Sequence, residues 1–428
     1  MRGEVWASAA SYLYRAAAKA QADARYGAAL TFYDASIDAI HRTGDSADRN
    51  LELDAYLELW STRISTGRVE GLEELGNKVE SLARTLDDGP RLARVQVRQA
   101  QAIALAAAIP GTLHSALERA REAAARAGTE DLRTRSYARF IAAVACRDMG
   151  RLEEAVGEFD IGVDLFAHAE GAAEPGLVYP IFVSLCGWRA EAHATLGGFD
   201  AALASATAGL RMASDIRHAS SLSIANAFMG YVKVLQGDLE AAVPALERGL
   251  AIAEEHDLVH GICANGVYLA WAYVLGGNGP RGLEYLARGL ERPAGALLQW
   301  TRFGTVTAAT YLAAQRPHEA RDIIASSLTA MTERGARGYH APLLRLEADV
   351  LMAEGDTALA QARGEEALSI ARDIGSRPEV GHGHATLARI SARLGKSVTR
   401  SEHVAAAERI FEELGMTFWA RRLADGLG

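Results

Sequence analysis

The sequence predicts an all-α fold, a right-handed α-solenoid of about ten helical hairpins repeating every ~40 residues. Three observations predict it. Turn signals recur at nearly constant spacing from end to end. Small residues stand at fixed offsets from those turns. No stretch of four or more β-branched residues alternates with polar ones, so no strand is assigned.

The pattern is clearest from Gly230 to Leu250. It reads as a helix, a tight turn at Gly237-Asp238 and a second helix returning alongside the first. Large residues at Leu239, Val243, Leu246 and Leu250 fall at helical spacing, and Gly230, Ala242 and Gly249 leave room for close approach.

In chain order, the turns that close hairpins fall at Tyr26-Gly27, Gly67-Arg68, Pro110-Gly111, Gly150-Arg151, Gly197-Gly198, Gly237-Asp238, Gly277-Asn278, Arg316-Pro317, Gly355-Asp356 and Gly395-Lys396. A second set joins one hairpin to the next. It lies at His41 to Gly44, Asp87 to Pro90, Ala127 to Thr129, Glu170-Gly171, Arg217-His218, Glu255 to Asp257, Arg292-Pro293, Arg334-Gly335, Ile374-Gly375 and Leu414-Gly415. The long step from Gly150 to Gly197 contains residues 169–176, read as a longer loop and the candidate hinge. A short capping helix is expected near 416–427. The repeat makes residues 1–428 one continuous domain rather than several globules.

A period near forty exceeds the 34 residues of a tetratricopeptide repeat, yet the internal pattern is of that kind. Seven residues before the turns stand Ala143, Ala190, Gly230, Ala270 and Ala348. Five after them stand Ala155, Ala202, Ala242, Gly282 and Ala360, and twelve after them Gly162, Gly209, Gly249, Gly289 and Ala367. Helices crossing at ~8–10 Å need small residues at the contact. The extra length should add about a turn to each helix.

Composition narrows the function. The chain has 45 Lys+Arg against 54 Asp+Glu, a net charge of -9, and no basic stripe to follow a phosphate backbone. No apolar run approaches the ~20 residues that span a bilayer. The start, Met1 to Trp6, has no apolar signal core. Cys146, Cys186 and Cys263 are far apart and odd in number, which fits reduced buried thiols in a cytoplasmic protein. Neither a nucleic-acid nor a membrane partner is expected.

Several motifs invite a chemical reading and fail on context. Gly277 to Gly282 has dinucleotide-fingerprint spacing but follows a helix, not a strand. Gly395-Lys396-Ser397 resembles the end of a phosphate loop, but Ile390 stands where the motif needs glycine. His382 and His384, two apart at a helix start, would face different ways. Adjacent carboxylates such as Glu153-Glu154 and Glu412-Glu413 read as solvated faces. No catalytic residue, metal ligand or cofactor site is assigned, and the chain is not expected to be an enzyme by itself.

The concave face remains. If the first helix of each hairpin lines it, the groove presents Tyr137, Phe140 and Arg147, then Glu191, Tyr231, Trp271, Arg302, Arg345 and Asp349. Aromatic groups interleaved with single charges of both signs suit a peptide or a polar small molecule. The plainer reading of Tyr231 and Trp271 is packing between first helices. Trp188, Tyr268 and Trp300 lie nearby in register and carry a weaker case.

Five stretches carry a resemblance: Arg2 to Trp6, Tyr12 to Ala20, Tyr26 to Tyr33, Gly237 to Leu250 and Phe411 to Trp419. On these the chain resembles the C-terminal tetratricopeptide-like tail of bacterial multidomain regulators, in which a nucleotide cyclase or other output module precedes a STAND-type ATPase. The resemblance implies a sensor array that binds a small ligand or protein partner and controls an output module. It carries over no cyclase carboxylate and no ATPase phosphate loop. The abrupt start within the array implies an excised sensor region or a stand-alone relative. The rival expectation is a scaffold making constitutive protein contacts, or a self-associating module forming homo-oligomers.

Overall fold

The computed structural model describes residues 2–66, 68, 70–104, 111–167, 175–291 and 301–426, and it contains 21 α-helices and no strand among them. In chain order these are α1 (Arg2–Ala22), α2 (Tyr26–His41), α3 (Arg49–Ser65), α4 (Leu72–Thr85), α5 (Gly89–Ala104), α6 (Leu113–Arg126), α7 (Leu132–Asp148), α8 (Leu152–Ala167), α9 (Pro175–Leu196), α10 (Phe199–Ile216) and α11 (Ala219–Gln236). They continue as α12 (Leu239–Glu255), α13 (Val259–Leu275), α14 (Gly279–Leu290), α15 (Thr301–Ala313), α16 (Pro317–Arg334), α17 (His340–Glu354), α18 (Thr357–Asp373), α19 (Arg377–Arg393), α20 (Ser397–Glu413) and α21 (Thr417–Ala424). This is the expected series of ten hairpins followed by a cap. Residues 169–174 of the candidate hinge lie outside the described residues, as do the turn and join positions Gly67, Pro110, Arg292 and Pro293 and the aromatic Trp300. The end of the hinge range, residues 175 and 176, is helical.

Each hairpin is written locally. Helix α11 stops at Gly237, whose φ of 93° favours glycine over any side chain. The next residue, Asp238, accepts the Ala241 N–H at 3.2 Å and starts α12. Gly355 (φ 90°) and Asp356 repeat the device, with Leu359 N at 3.1 Å. The second helix then buries Ala242, Ala245, Leu246, Gly249, Leu250 and Ala253, a stripe at spacings of three and four against the first helices. α11, α12 and α13 have 18, 17 and 17 residues, which supplies the added turn.

The small residues stand at the crossings. Ala143, Ala190, Ala242, Ala270 and Ala348 are fully buried. A methyl group on Gly162 would meet Leu185 Cδ2 at 2.7 Å; on Gly230 it would collide with Leu246, and on Gly249 with Asn265.

The array winds back onto itself about every five hairpins. The hairpin 1 turn at Ala24 packs with Ala253 and Leu258. Further along, four successive first helices end on the following winding in the same way. Arg334 Nη2 donates to Ile103 O and Ala104 O at 2.9 and 2.7 Å, at the end of α5. Gly338 N donates to Asp148 O (2.7 Å, end of α7). Ser376 Oγ donates to Thr195 O (2.9 Å, end of α9), and Trp419 Nε1 donates to Leu235 O (3.0 Å, end of α11). The last carbonyls of a helix have no partner within it; here the next winding supplies one. The capping helix is therefore docked on the middle of the array, not only on its neighbour α20.

Candidate functional site in the channel between windings

Because the windings touch, the concave face is a channel rather than an open groove, and first helices line it. All nine sequence-predicted groove residues lie on first helices: Tyr137, Phe140 and Arg147 on α7, Glu191 on α9, Tyr231 on α11, Trp271 on α13, Arg302 on α15, and Arg345 and Asp349 on α17. Their environments differ.

A cavity of about 450 Å³ is lined by Arg147, Tyr231, Trp271, Arg345 and Asp349 together with residues of α19 and α21. One wall is aromatic. Tyr231 and Trp271 have ring centroids 6.5 Å apart, Trp271 and Trp419 are at 6.4 Å, and the His382 ring stands edge-on to Trp419 at 4.6 Å. The lining also carries charge of both signs. Arg345 Nε donates to Glu379 Oε1 at 2.5 Å, and Arg389 Nη2 donates to Asp349 Oδ1 at 2.7 Å. Burial raises the Glu379 carboxyl against the pull of Arg345. Burial, with Arg345 and Arg389, holds His382 well below its usual value, so its imidazole is neutral at pH 7.

A second cavity of about 270 Å³ lies toward the N-terminal side, lined by Tyr137, Trp188, Phe228, Tyr268 and the guanidinium groups of Arg98, Arg133 and Arg302. Trp188 and Tyr268, the weaker sequence candidates, therefore belong to this wall.

Glu191 lines neither cavity. It is 1% exposed and stands between them. Arg302 Nη1 donates to its Oε2, Arg147 Nη1 donates to the same oxygen at 3.3 Å, and Tyr339 Oη donates to Oε1 at 2.6 Å. Burial works against the charge, but Arg302 and Arg147 outweigh it and keep the carboxyl below its usual value. Arg147 also stacks on Trp188 at 4.0 Å, and Arg302 on the same ring at 4.4 Å. One carboxylate thus fixes a cation facing each cavity. Replacing it leaves two buried guanidinium groups under-compensated.

Sequence reasoning missed Glu379, His382, Arg389, Tyr339 and Trp419. A signal existed for three of them. Glu379, His382, Thr386 and Arg389 make one polar stripe along α19, where the neighbouring faces are Gly381, Gly383, Ala385 and Leu387 packed in the core. His382 lies in the second turn of that helix, rather than at its first residue, and faces away from His384, which meets His403 at 2.8 Å.

The other motifs resolve as turns. Gly276, Gly277 and Asn278 join α13 to α14, and Gly395 and Lys396 join α19 to α20. The thiols of Cys146, Cys186 and Cys263 are free, buried and each pushed up to about 12 by burial. Among the described residues no group of three His, Cys, Asp or Glu is placed to hold a metal ion, and no helix is long and apolar enough to cross a membrane.

No protein-family model matches the chain, and no curated protein matches it in sequence. Solved structures do. The chain is similar to a Rap protein complexed with competence and sporulation factor, at 14% identity over 96% of this chain and 99% of that one, TM-score 0.51. It is also similar to the Rap conjugation gene regulator of plasmid pLS20 in complex with the Phr* peptide, at 12% identity over 88% and 98%, TM-score 0.54. A signal transduction ATPase with numerous domains from Pyrococcus horikoshii, which has a tetratricopeptide repeat sensor, aligns at 13% identity over 91% and 55% with TM-score 0.42, too low to bear on the fold. At these identities the likeness concerns architecture alone. The chain is a tetratricopeptide-like helical repeat array.

Proposed function

We propose that this chain is a regulatory array that takes a short peptide in its larger cavity and transmits the binding to an output protein. The observation that carries the reading is the cavity of about 450 Å³ between windings, lined by aromatic rings together with two arginine–carboxylate pairs. Rings bury side chains, and paired charges of opposite sign can be exchanged for the polar groups of a peptide backbone or its termini. Two solved structures of the same architecture hold such partners, competence and sporulation factor in one and the Phr* peptide in the other. In this reading Arg147, Tyr231, Trp271, Arg345 and Asp349 contact the ligand. Tyr137 and Arg302 serve the second cavity, and Glu191 positions Arg147 and Arg302.

The array works as one domain. A ligand that bridges two windings favours one spacing between them, and the shift it can produce is limited by its difference in affinity for the two spacings. The output is an attached or separate module. A nucleotide cyclase or an ATPase is what the resemblance implies, and small molecules are an alternative effector class. The inert buried thiols fit action in the cytoplasm.

Selection of binders from a displayed library of short peptides against the full chain tests the reading. We expect enrichment of a motif that Trp271→Ala abolishes. Enrichment that survives Trp271→Ala and Arg345→Gln alike would place binding elsewhere.

A further inference from the structure

The second cavity differs from the first in charge. Three guanidinium groups, Arg98, Arg133 and Arg302, face it, and its described lining contains no Asp or Glu. Two of the three have a carboxylate behind the wall: Arg133 meets Glu58 at 3.0 Å, and Arg302 meets Glu191. Arg98 does not. Its polar contacts include Gln101 Oε1 at 3.2 Å and the Tyr137 hydroxyl, and its guanidinium lies 4.7 Å from the Tyr137 ring centre. Burial, with the neighbouring Arg133 and Arg94, lowers its pKa against the opposing pull of Tyr137 and Glu58. The imidazoles of His218 and His260, also on the lining, are held low by burial, His260 to about 4, so they add no charge at pH 7.

Two donors in this wall lack partners. The Tyr268 hydroxyl and the Arg302 Nε–H make no hydrogen bond among the described residues, although the residues are only 1% and 4% exposed. Buried donors are almost always satisfied, and leaving one unmade is costly. Here both belong to a cavity rimmed by cations. Around them stand the faces of Phe140, Trp188 and Phe228, with ring centroids of 6.2 and 5.5 Å between successive pairs.

The geometry points to a second ligand site, specific for a small organic anion, a carboxylate or phosphate carried on an aromatic or apolar body. The acidic group sits among Arg98, Arg133 and Arg302 and accepts from the Tyr268 hydroxyl and Arg302 Nε. The body lies against Trp188 and Phe228. Guanidinium groups suit both acids because they bind bidentately. This site does not depend on the larger cavity holding a peptide.

Isothermal titration of the full chain at neutral pH tests it with three probes of similar shape: phenyl phosphate, phenylacetate and benzyl alcohol. At least one of the two anions should bind with a Kd of about 1 mM or tighter, and the neutral alcohol at least ~10-fold more weakly. The tighter of the two anions identifies phosphate or carboxylate as the preferred acid. Arg98→Gln should weaken the bound anion by ~10-fold or more, the scale of a lost charge-assisted hydrogen bond. Tyr268→Phe should weaken it several-fold while leaving the melting temperature unchanged or higher, since the hydroxyl has no partner to lose. Tyr268→Phe remains decisive if Arg98→Gln does not fold. Absence of binding by both anions, equal binding of benzyl alcohol, or unchanged anion affinity in Tyr268→Phe would overturn the proposal.

Discussion

Two glycines that look alike in sequence should respond very differently to alanine. Gly237 and Gly355 both close a hairpin, both precede an aspartate cap, and both have φ near 90° (93° and 90°). A Cβ in this left-handed region costs ~1–2 kcal/mol by itself. At Gly355 nothing lies within 4 Å of the added carbon, so the whole effect should be that cost. At Gly237 the added carbon would stand 2.6 Å from Phe418 Cβ, on the helix that docks from the following winding. Relieving such a contact requires moving α21, at a further ~1–3 kcal/mol typical of overpacking. It also displaces Trp419, whose indole N–H caps Leu235 O. Gly237→Ala should therefore lose ~2–5 kcal/mol and Gly355→Ala ~1–2. Urea titration followed by tryptophan fluorescence reads both. Gly237→Ala should also let the backbone amides of α21 exchange faster, and Gly355→Ala should not. Equal losses, with α21 unaffected in both, would refute the winding-on-winding contact.

Glu191→Ala should destabilise the chain by about 3–5 kcal/mol in chemical denaturation, because it strands the buried Arg302 and leaves Arg147 with Asp148 alone. Acid should weaken the N-terminal hairpins: burial opposes the Glu58 charge, but Arg133, Arg98 and Arg94 hold its pKa at about 2. Its contribution is complete above the unfolded carboxyl's value and is lost as pH falls from about 4.5 toward 2, a change of about 3 kcal/mol that Glu58→Gln should remove from the stability-versus-pH curve. Trp419→Phe keeps much of the ring packing but removes the cap on Leu235 O, and should cost ~1–2 kcal/mol in denaturant titration.

The fold was legible in the sequence because it is built from local rules. A glycine that ends one helix, an aspartate that starts the next, and small residues seven before and five or twelve after the turn are all short-range signals. Such signals alone place Ala242 and Gly249 at a crossing. They also put nine candidate residues on first helices. What they do not contain is the pitch. That Gly338 reaches Asp148, or Trp419 reaches Leu235, depends on small rotations summed over five hairpins. The closing of the concave face and the docking of the cap on the middle of the array were unreadable for this reason. The same summation brings Glu379 and Arg389 to Arg345 and Asp349 and turns a row of unpaired charges into a walled cavity. Glu191 illustrates the limit from the other side: its place on a first helix was readable, but its enclosure by Arg302 and Tyr339, 111 and 148 residues away, was not.

Hydrogen–deuterium exchange of the full chain, with and without the tightest peptide from the selected library, tests most directly whether recognition takes place between windings. Added protection should appear together on α11, α13, α17, α19 and α21, the helices that contribute Tyr231, Trp271, Arg345, His382 and Trp419 to the larger cavity. Protection confined to outer helices such as α12 and α18, with the cavity helices unchanged, would contradict it.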